Sequence, residues 1–239
     1  MMDEFTPLWP EGPVFCASRH FPLSTDSILL ADFARARRGE TGIDLGCGAG
    51  ILTLLLLRRQ EGLAMTGLEL MPEAAVLAER NLAANGYTDR GTVLTGDIRR
   101  VCERFPSGGF DFAVSNPPYF PARSGAHSPD AERAAARSES TCSLEELCAA
   151  ARYLCRSGGS FYVVHRAERL TDLFCTMRAN AIEPKRLRLV CHHSAAAPSL
   201  ALVEGRRDGR SGLTVEPTLI LFDADGSESA ESRRIYHRP

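Results

Sequence analysis

TGIDLGCGAGILTLLLLRR, residues 41–59, decides the fold. A short apolar run enters three alternating glycines, Gly46, Gly48 and Gly50, and a longer apolar run ending in two arginines leaves them. That is a strand feeding a helix through a tight turn. Glycine lets the backbone turn sharply and approach a ligand closely, and the helix start offers free N–H groups. A glycine triplet also suits a plain turn, so the flanking carboxylates carry the reading. Asp44 lies just before the first glycine, and Glu69 ends the next apolar run, 23 residues after Gly46.

Outward from this stretch the segments alternate. AMTGLEL (64–70) predicts a strand, and PEAAVLAERNLAANG (72–86) a helix with Pro72 at its start and Gly86 just past its end. GTVLTGD (91–97) and FDFAVS (110–115) predict two more strands. SLEELCAAARYLC (143–155) opens on Ser143 with Glu146 three residues on, the spacing of a capping box. FYVVH (161–165) is a fifth strand, followed by a helix at about 167–180. Such alternation predicts an α/β, doubly wound, mostly parallel sheet with helices on both faces.

After residue 184 the rhythm changes. RLRLVC (186–191), SLALVEG (199–205) and LTVEPTLILF (213–222) have no helix between them, which predicts antiparallel strands closing the sheet edge. Residues 119–141 read as one long loop of the kind that serves as a lid or binding loop or else is disordered. TDSILLADFARA (25–36) predicts a helix capped by Ser24 or Thr25. The expected organisation is an N-terminal extension with one helix, 1–38, and a main domain, 39–239.

Composition narrows the class. The chain has 239 residues, 44% of them hydrophobic and 24% charged, ordinary values for a soluble globular protein. Its net charge of −2 gives no global attraction to nucleic acid, but the charge is uneven. Residues 1–150 carry 14 arginines against 20 acids, whereas 151–239 carry 14 basic residues against 10 acids. Lys185, Arg186, Arg188, Arg206, Arg207 and Arg210 therefore form a candidate phosphate-binding patch, with Arg123 and Arg137 in the long loop closing on the substrate. The 8 cysteines include no C-x-x-C pair, which predicts buried free thiols and no metal site. The N-terminus MMDEF has no basic-then-apolar pattern, and the longest apolar run, 51–57, is too short to cross a bilayer. A soluble, cytoplasmic protein without a membrane partner is expected; monomer and weak dimer both stay open.

The carboxylates select the ligand. An acid ending the second strand suits a ribose diol, which fits NAD and S-adenosylmethionine equally. Asp44 favours the second, because a carboxylate entering the loop repels a pyrophosphate and attracts a ligand with ammonium and sulfonium groups. The spacing G-x-G-x-G also differs from the dinucleotide pattern G-x-G-x-x-G. Asp97, ending the third strand, suits either an adenine amino group or the N-cap of the following IRRVCERF.

At 116–120 stands NPPYF, directly after a buried strand. Pro117 and Pro118 have fixed φ and no N–H, so the backbone there only accepts hydrogen bonds. Asn116 adds an amide oxygen and Tyr119 a flat ring face. Such a site grips a planar group bearing an NH₂. The lone pair of such a nitrogen is delocalised, and two acceptors on its hydrogens bias it toward a nucleophilic state. The residues alone leave adenine N6, guanine N2 and a glutamine amide open as targets. They also leave open a module that binds the cofactor without chemistry, though an intact NPPY argues against that.

Asp44 to Gly50 with Glu69, and Asn116 to Tyr119, resemble the class I S-adenosylmethionine-dependent methyltransferases that act on amino groups of planar substrates. Within them, FPLSTDSILLADFA (21–34), residues 116–141 and LVEGRRDGRSGLTVEPTLILFD (202–223) make the chain similar to bacterial tRNA adenine-N6 methyltransferases acting beside the anticodon of a valine tRNA. The resemblance implies a seven-stranded sheet with a reversed edge strand, S-adenosylmethionine as cofactor and tRNA as partner. It also implies Gly46 and Gly48 by the methionine moiety, Glu69 and Leu70 at the ribose, and Asp97 and Ile98 near the cofactor adenine. Asn116, shared with the cofactor site, Pro117 and Tyr119 would sit at the target base.

Overall fold

The strand, glycine turn and helix expected at 41–59 form as β3 (Thr41–Leu45) and a helix over Ile51–Arg59. The computed structural model describes residues 4–18, 21–117 and 142–238. Tyr119, Arg123 and Arg137 lie outside the described residues. A hairpin of β1 (Thr6–Pro7) and β2 (Val14–Phe15) precedes α1 (Thr25–Phe33), and the Ile51–Arg59 helix is α2. Then come β4 (Ala64–Glu69), α3 (Pro72–Ala84), β5 (Gly91–Thr95) and β6 (Phe110–Ser115). The second half holds α4 (Leu144–Leu154), β7 (Cys155–Arg166), α5 (Leu170–Ala179), β8 (Ile182–Cys191) and β9 (Leu200–Arg207). Short pieces β10 (Thr214–Val215) and β11 (Leu219–Ile220) lead to α6 (Ala230–Tyr236). The capping box of Ser143 and Glu146 forms at the start of α4.

The sheet order is β10-β8-β9-β7-β6-β3-β4-β5, with β11 also on β8. The parallel α/β class holds, but the second half departs from the expectation in three ways. Only β9 runs against its neighbours; β8, β10 and β11 are parallel to the rest. The reversed strand is not at the edge, since β9 lies between β7 and β8. The crossover through α5 carries the chain past a vacant position beside β7 and makes β8 parallel. The loop from β8 turns straight back, so β9 fills that position antiparallel. Finally, the strand expected over 213–222 splits into two pieces around Pro217, which lacks the N–H a continuous ladder needs. The seven long strands β3 to β9 form the expected sheet, and the two-residue pieces β10 and β11 extend it on β8 to nine.

Alternation along each strand sends side chains to both faces. Phe112 and Val114 pack with Leu54, Leu57 and Leu82 under α1, α2 and α3. Ala113, Phe161 and Val163 pack with Leu147, Leu154 and Met177 under α4 and α5. The N-terminal segment is tied in by two asparagines one turn apart at the end of α3, Asn81 in its last turn and Asn85 at its C-cap. Asn85 Oδ1 accepts from the Val14 N–H at 2.9 Å and its Nδ2 donates to the Val14 carbonyl at 2.7 Å. Asn81 bonds both backbone groups of Cys16 and donates to the Ala49 carbonyl of the glycine turn at 2.9 Å. These amides stand in for a missing strand partner.

The far end of α1 is anchored as firmly. Arg186 donates to the Phe33 carbonyl at 2.7 Å, stacks on the Phe33 ring at 3.7 Å, and pairs with Glu204 at 2.9 Å and Glu216 at 3.1 Å. Its side chain is only 7% exposed, so it is a buried clamp and not a surface phosphate contact. Among the described residues no helix is long and apolar enough to cross a membrane, and no His/Cys/Asp/Glu cluster could hold a metal ion.

Candidate functional site

The carboxyl ends of β3, β4, β5 and β6 surround one cleft. Gly46, Gly48 and Gly50 all have positive φ, 76°, 54° and 83°. Only glycine adopts such angles without strain. Their surroundings differ. A Cβ on Gly48 would meet nothing within 4 Å, and one on Gly46 only the Ile98 side chain at 3.9 Å. The space over these two is free for a ligand. A Cβ on Gly50 would lie 2.9 Å from the Ala78 Cβ, so this glycine serves close packing of the turn on α3.

Glu69 locks the turn to the end of β4. Its Oε2 accepts from the Gly48 N–H at 2.9 Å and its Oε1 from the Met71 N–H at 2.9 Å. Each oxygen keeps lone-pair capacity for a further donor, as a diol requires. Glu69, Leu70, Met71, Gly46, Asp97, Ile98, Ser115, Pro117, Cys142 and Leu147 are among the cleft's lining residues. The chain thus brings together most of the residues expected to bind a cofactor.

Three expected residues stand apart from that lining. Asp44 is 1% exposed beneath the turn, where its Oδ2 accepts from the Thr53 hydroxyl at 2.8 Å. Burial pushes its carboxyl up to about 7; the Thr53 bonds oppose the rise, and the nearby Glu69 charge adds to it. Burial, together with the same two carboxylates, drives the Cys47 thiol well above its ordinary value. Two acids under one turn make a floor that favours a cationic ligand and disfavours a pyrophosphate. Gly48 contributes to the turn behind Glu69, and Asn116 sits at the neighbouring strand end.

Asp97 does cap the short 3₁₀ helix Ile98–Glu103, accepting from the Arg99 N–H at 2.8 Å. Arg99 also grips the carboxylate from its side chain, at 3.0 Å to each oxygen through Nε and at 2.6 Å through Nη2. That side-chain hydrogen bond holds Asp97 below its ordinary value. An adenine amino group would share the carboxylate with Arg99.

Beyond β6, Ser115 donates to the Leu45 carbonyl at 2.7 Å, which pins the start of NPPY against the glycine turn. Asn116 Nδ2 donates to Ser24 Oγ and to Ser27 Oγ, each at 2.9 Å. These serines come from the N-cap and first turn of α1, some ninety positions earlier, and belong to no sequence motif of the site. Their signal was their spacing, three residues apart and so on one helix face. Cys142 and Leu147 were missed, since nothing local in the sequence places them at the cleft.

The basic patch is split: Arg188 pairs through Leu202 with Val164 and so lies level with Asn116, whereas Arg206 and Arg207 do not lie at this end of the sheet. Val163 pairs with both Ser115 and Val203, so Arg207, four residues beyond Val203, lies about 13 Å toward the amino ends of the parallel strands. Arg207 Nη1 donates to the Cys155 carbonyl at 2.5 Å, Arg206 lies 3.7 Å from Glu204, and Arg188 pairs with Glu231 at 2.7 Å. Lys185 Nζ donates to the carbonyls of Arg210 and Gly212 at 3.0 and 2.7 Å. These cations hold the second half of the sheet together.

The methyltransferase small domain family matches residues 8–179. A tRNA1(Val) (adenine(37)-N6)-methyltransferase of Porphyromonas gingivalis is 33% identical over 234 residues, covering 92% of this chain and 88% of that protein. One of the same name from Shewanella halifaxensis is 30% identical over 194 residues, 81% of this chain and 74% of that protein. Among solved structures, a predicted O-methyltransferase, protein Atu636 of Agrobacterium tumefaciens, superposes with a TM-score of 0.73 at 21% identity, over 89% of this chain and 96% of that one.

Proposed function

Because this chain belongs to the methyltransferase small domain family, we propose that it methylates the exocyclic N6 of an adenine in tRNA, at position 37 of a cytoplasmic valine tRNA. Relatives bearing that activity in their names span most of the chain. The observation that carries the reading is Asn116, an amide held by its nitrogen at the rim of the cleft.

S-adenosylmethionine, when bound, supplies a methyl group on a sulfonium that leaves as a neutral thioether. The chain's own residues do the rest. Glu69, already oriented by two backbone N–H groups, accepts from the ribose hydroxyls, with Leu70 beside it. Gly46 and Gly48 leave room for the methionine moiety. Asp97 and Ile98 would border the adenine of the cofactor, and Asp44 would stabilise its ammonium from beneath the turn. Asn116 Oδ1 and the carbonyl of Pro117 accept the two N6 hydrogens, concentrating the nitrogen lone pair toward the methyl group. Tyr119 is assigned the stacking face for the target ring. As the new C–N bond forms the sulfonium S–CH₃ bond breaks, and the methylated nitrogen, now cationic and strongly acidic, releases its extra proton to water. In this reading residues 39–239 form the catalytic domain, and 1–38 an extension that lends α1 to the target side.

The test is methyl transfer to tRNA lacking the modification, with N6-methyladenosine read by nucleoside mass spectrometry. Wild type should form it. Asn116→Ala should lower the rate by about two orders of magnitude, as removal of one preorganised catalytic hydrogen-bonding group does, with cofactor affinity nearly unchanged. Near-normal turnover in Asn116→Ala, or no N6-methyladenosine from wild type, overturns the proposal.

A further inference from the structure

We infer that Ser24 and Ser27 are positioning residues that hold the Asn116 amide by its nitrogen, so that its oxygen faces the amine to be methylated. The inference rests on the function proposed above and adds the device that sets its geometry. An amide side chain has two hydrogens on nitrogen and an acceptor oxygen, and a half-turn about its last bond exchanges them with almost no change of shape. One orientation offers an acceptor to the incoming NH₂; the other sets donor against donor. The two hydrogens of Asn116 Nδ2 are both engaged, by Ser24 Oγ at 2.9 Å and Ser27 Oγ at 2.9 Å. In this orientation the oxygen is left as the group for the target.

Ser24 gives up a bond to do this. It occupies the N-cap position of α1, where a serine oxygen ordinarily accepts from a backbone N–H of the first turn, yet it makes no such bond. The serines at the equivalent positions of α4 and α6 both cap, accepting from the Glu146 and Ser232 N–H groups. Ser27 is a polar side chain only 4% exposed. The helix that presents the pair is fixed at its other end by the Arg186 bond to the Phe33 carbonyl. Both hydroxyls are therefore held in place before substrate arrives.

The experiment compares Ser24→Ala/Ser27→Ala with wild type in the Asn116 and Asn116→Ala backgrounds. With Asn116 present, kcat should fall about tenfold to a hundredfold, the effect of removing outer-shell partners that orient a reacting group. The KM for tRNA and the Kd for S-adenosylmethionine should stay within about twofold, and Ser24→Thr/Ser27→Thr, which keeps both hydroxyls, should restore most of the rate. In Asn116→Ala the serine substitutions should cost nothing further, because there is no amide left to orient. The single Ser24→Ala, on the half-exposed rim, should show a smaller loss with the same dependence on Asn116, which guards against a folding defect in the double variant. A full rate in the double variant, or an equal fold-loss in both backgrounds, overturns the inference. An enzyme that needs Asn116 but not the serines overturns this inference alone; one indifferent to Asn116 overturns the proposed function with it.

Discussion

Replacing Asp44 by asparagine should change how stability depends on pH. The carboxyl is 1% exposed, accepts from Thr53 at 2.8 Å, and is pushed by burial from an ordinary 3.8 up to about 7. The gap corresponds to about 4 kcal/mol, an order-of-magnitude figure. In the unfolded chain the group ionises near 3.8, and in the folded protein near 7. Between those values the folded state keeps a proton that the unfolded state has lost. The stabilisation from this group is therefore complete below about pH 4 and disappears as pH climbs through 7. An asparagine does not titrate, and its amide oxygen can still accept from Thr53. Urea unfolding of both proteins without cofactor, from pH 4.5 to 8, isolates the effect. The stability of the variant relative to wild type should rise with pH by up to about 4 kcal/mol. Any constant offset from the new amide drops out of that difference. Parallel curves would refute the reasoning. A cationic ligand should restore the carboxylate, so S-adenosylmethionine binding near pH 6 should release a proton from wild type and none from the variant, as calorimetry in two buffers will show.

Glu69→Ala should raise the Kd for S-adenosylmethionine by roughly tenfold or more, since about 1–3 kcal/mol is lost with a charge-assisted bond and the Gly48 turn loses its partner as well; unchanged calorimetric affinity would count against a ribose contact. Arg186→Ala should destabilise the fold by about 3–5 kcal/mol in urea unfolding by stranding the buried Glu204, and a loss below about 1 kcal/mol would mean the clamp on α1 is dispensable. Arg206→Ala/Arg207→Ala/Arg210→Ala should leave the salt dependence of tRNA binding intact; a log–log slope flattened by about 0.7 to 0.9 per residue would return the RNA to this edge.

The cofactor half of the site was legible because its signals are local. Gly46, Gly48 and Gly50 need positive φ, the strands around them are short apolar runs, and Glu69 ends the strand it was expected to end. Of the two readings of Asp97, the helix cap forms, and the adenine contact belongs to the proposed function. What escaped the sequence was set by distance. Nothing near Ser24 announces a partner 92 residues away, and Arg186 looks like a surface cation until Glu204, Glu216 and Phe33 close around it. The β1–β2 hairpin and α6 were missed for another reason: strands of 2 residues and a helix of 7 carry too few positions to show a period. The direction of β9 follows from which slot is vacant when it arrives, a property of the assembled sheet.

The placement of β9 bears on how the protein is made. A chain leaving the ribosome presents β3 to β7 first, and each of these can join the parallel sheet as its helix forms. Then β8 emerges without its native partner, because its only long partner has not been synthesised. Until residue 207 is free, the buried Phe161, Tyr162, Val163 and Val164 of β7 border an open edge, the sort of surface that captures another nascent chain. The cofactor-binding half can thus be complete while the sheet is still unsealed. Translation speed and chaperone supply over residues 182–207 should then govern the soluble yield more than any substitution around the cleft. A chain cut before β9 would be an aggregating fragment and not a smaller enzyme.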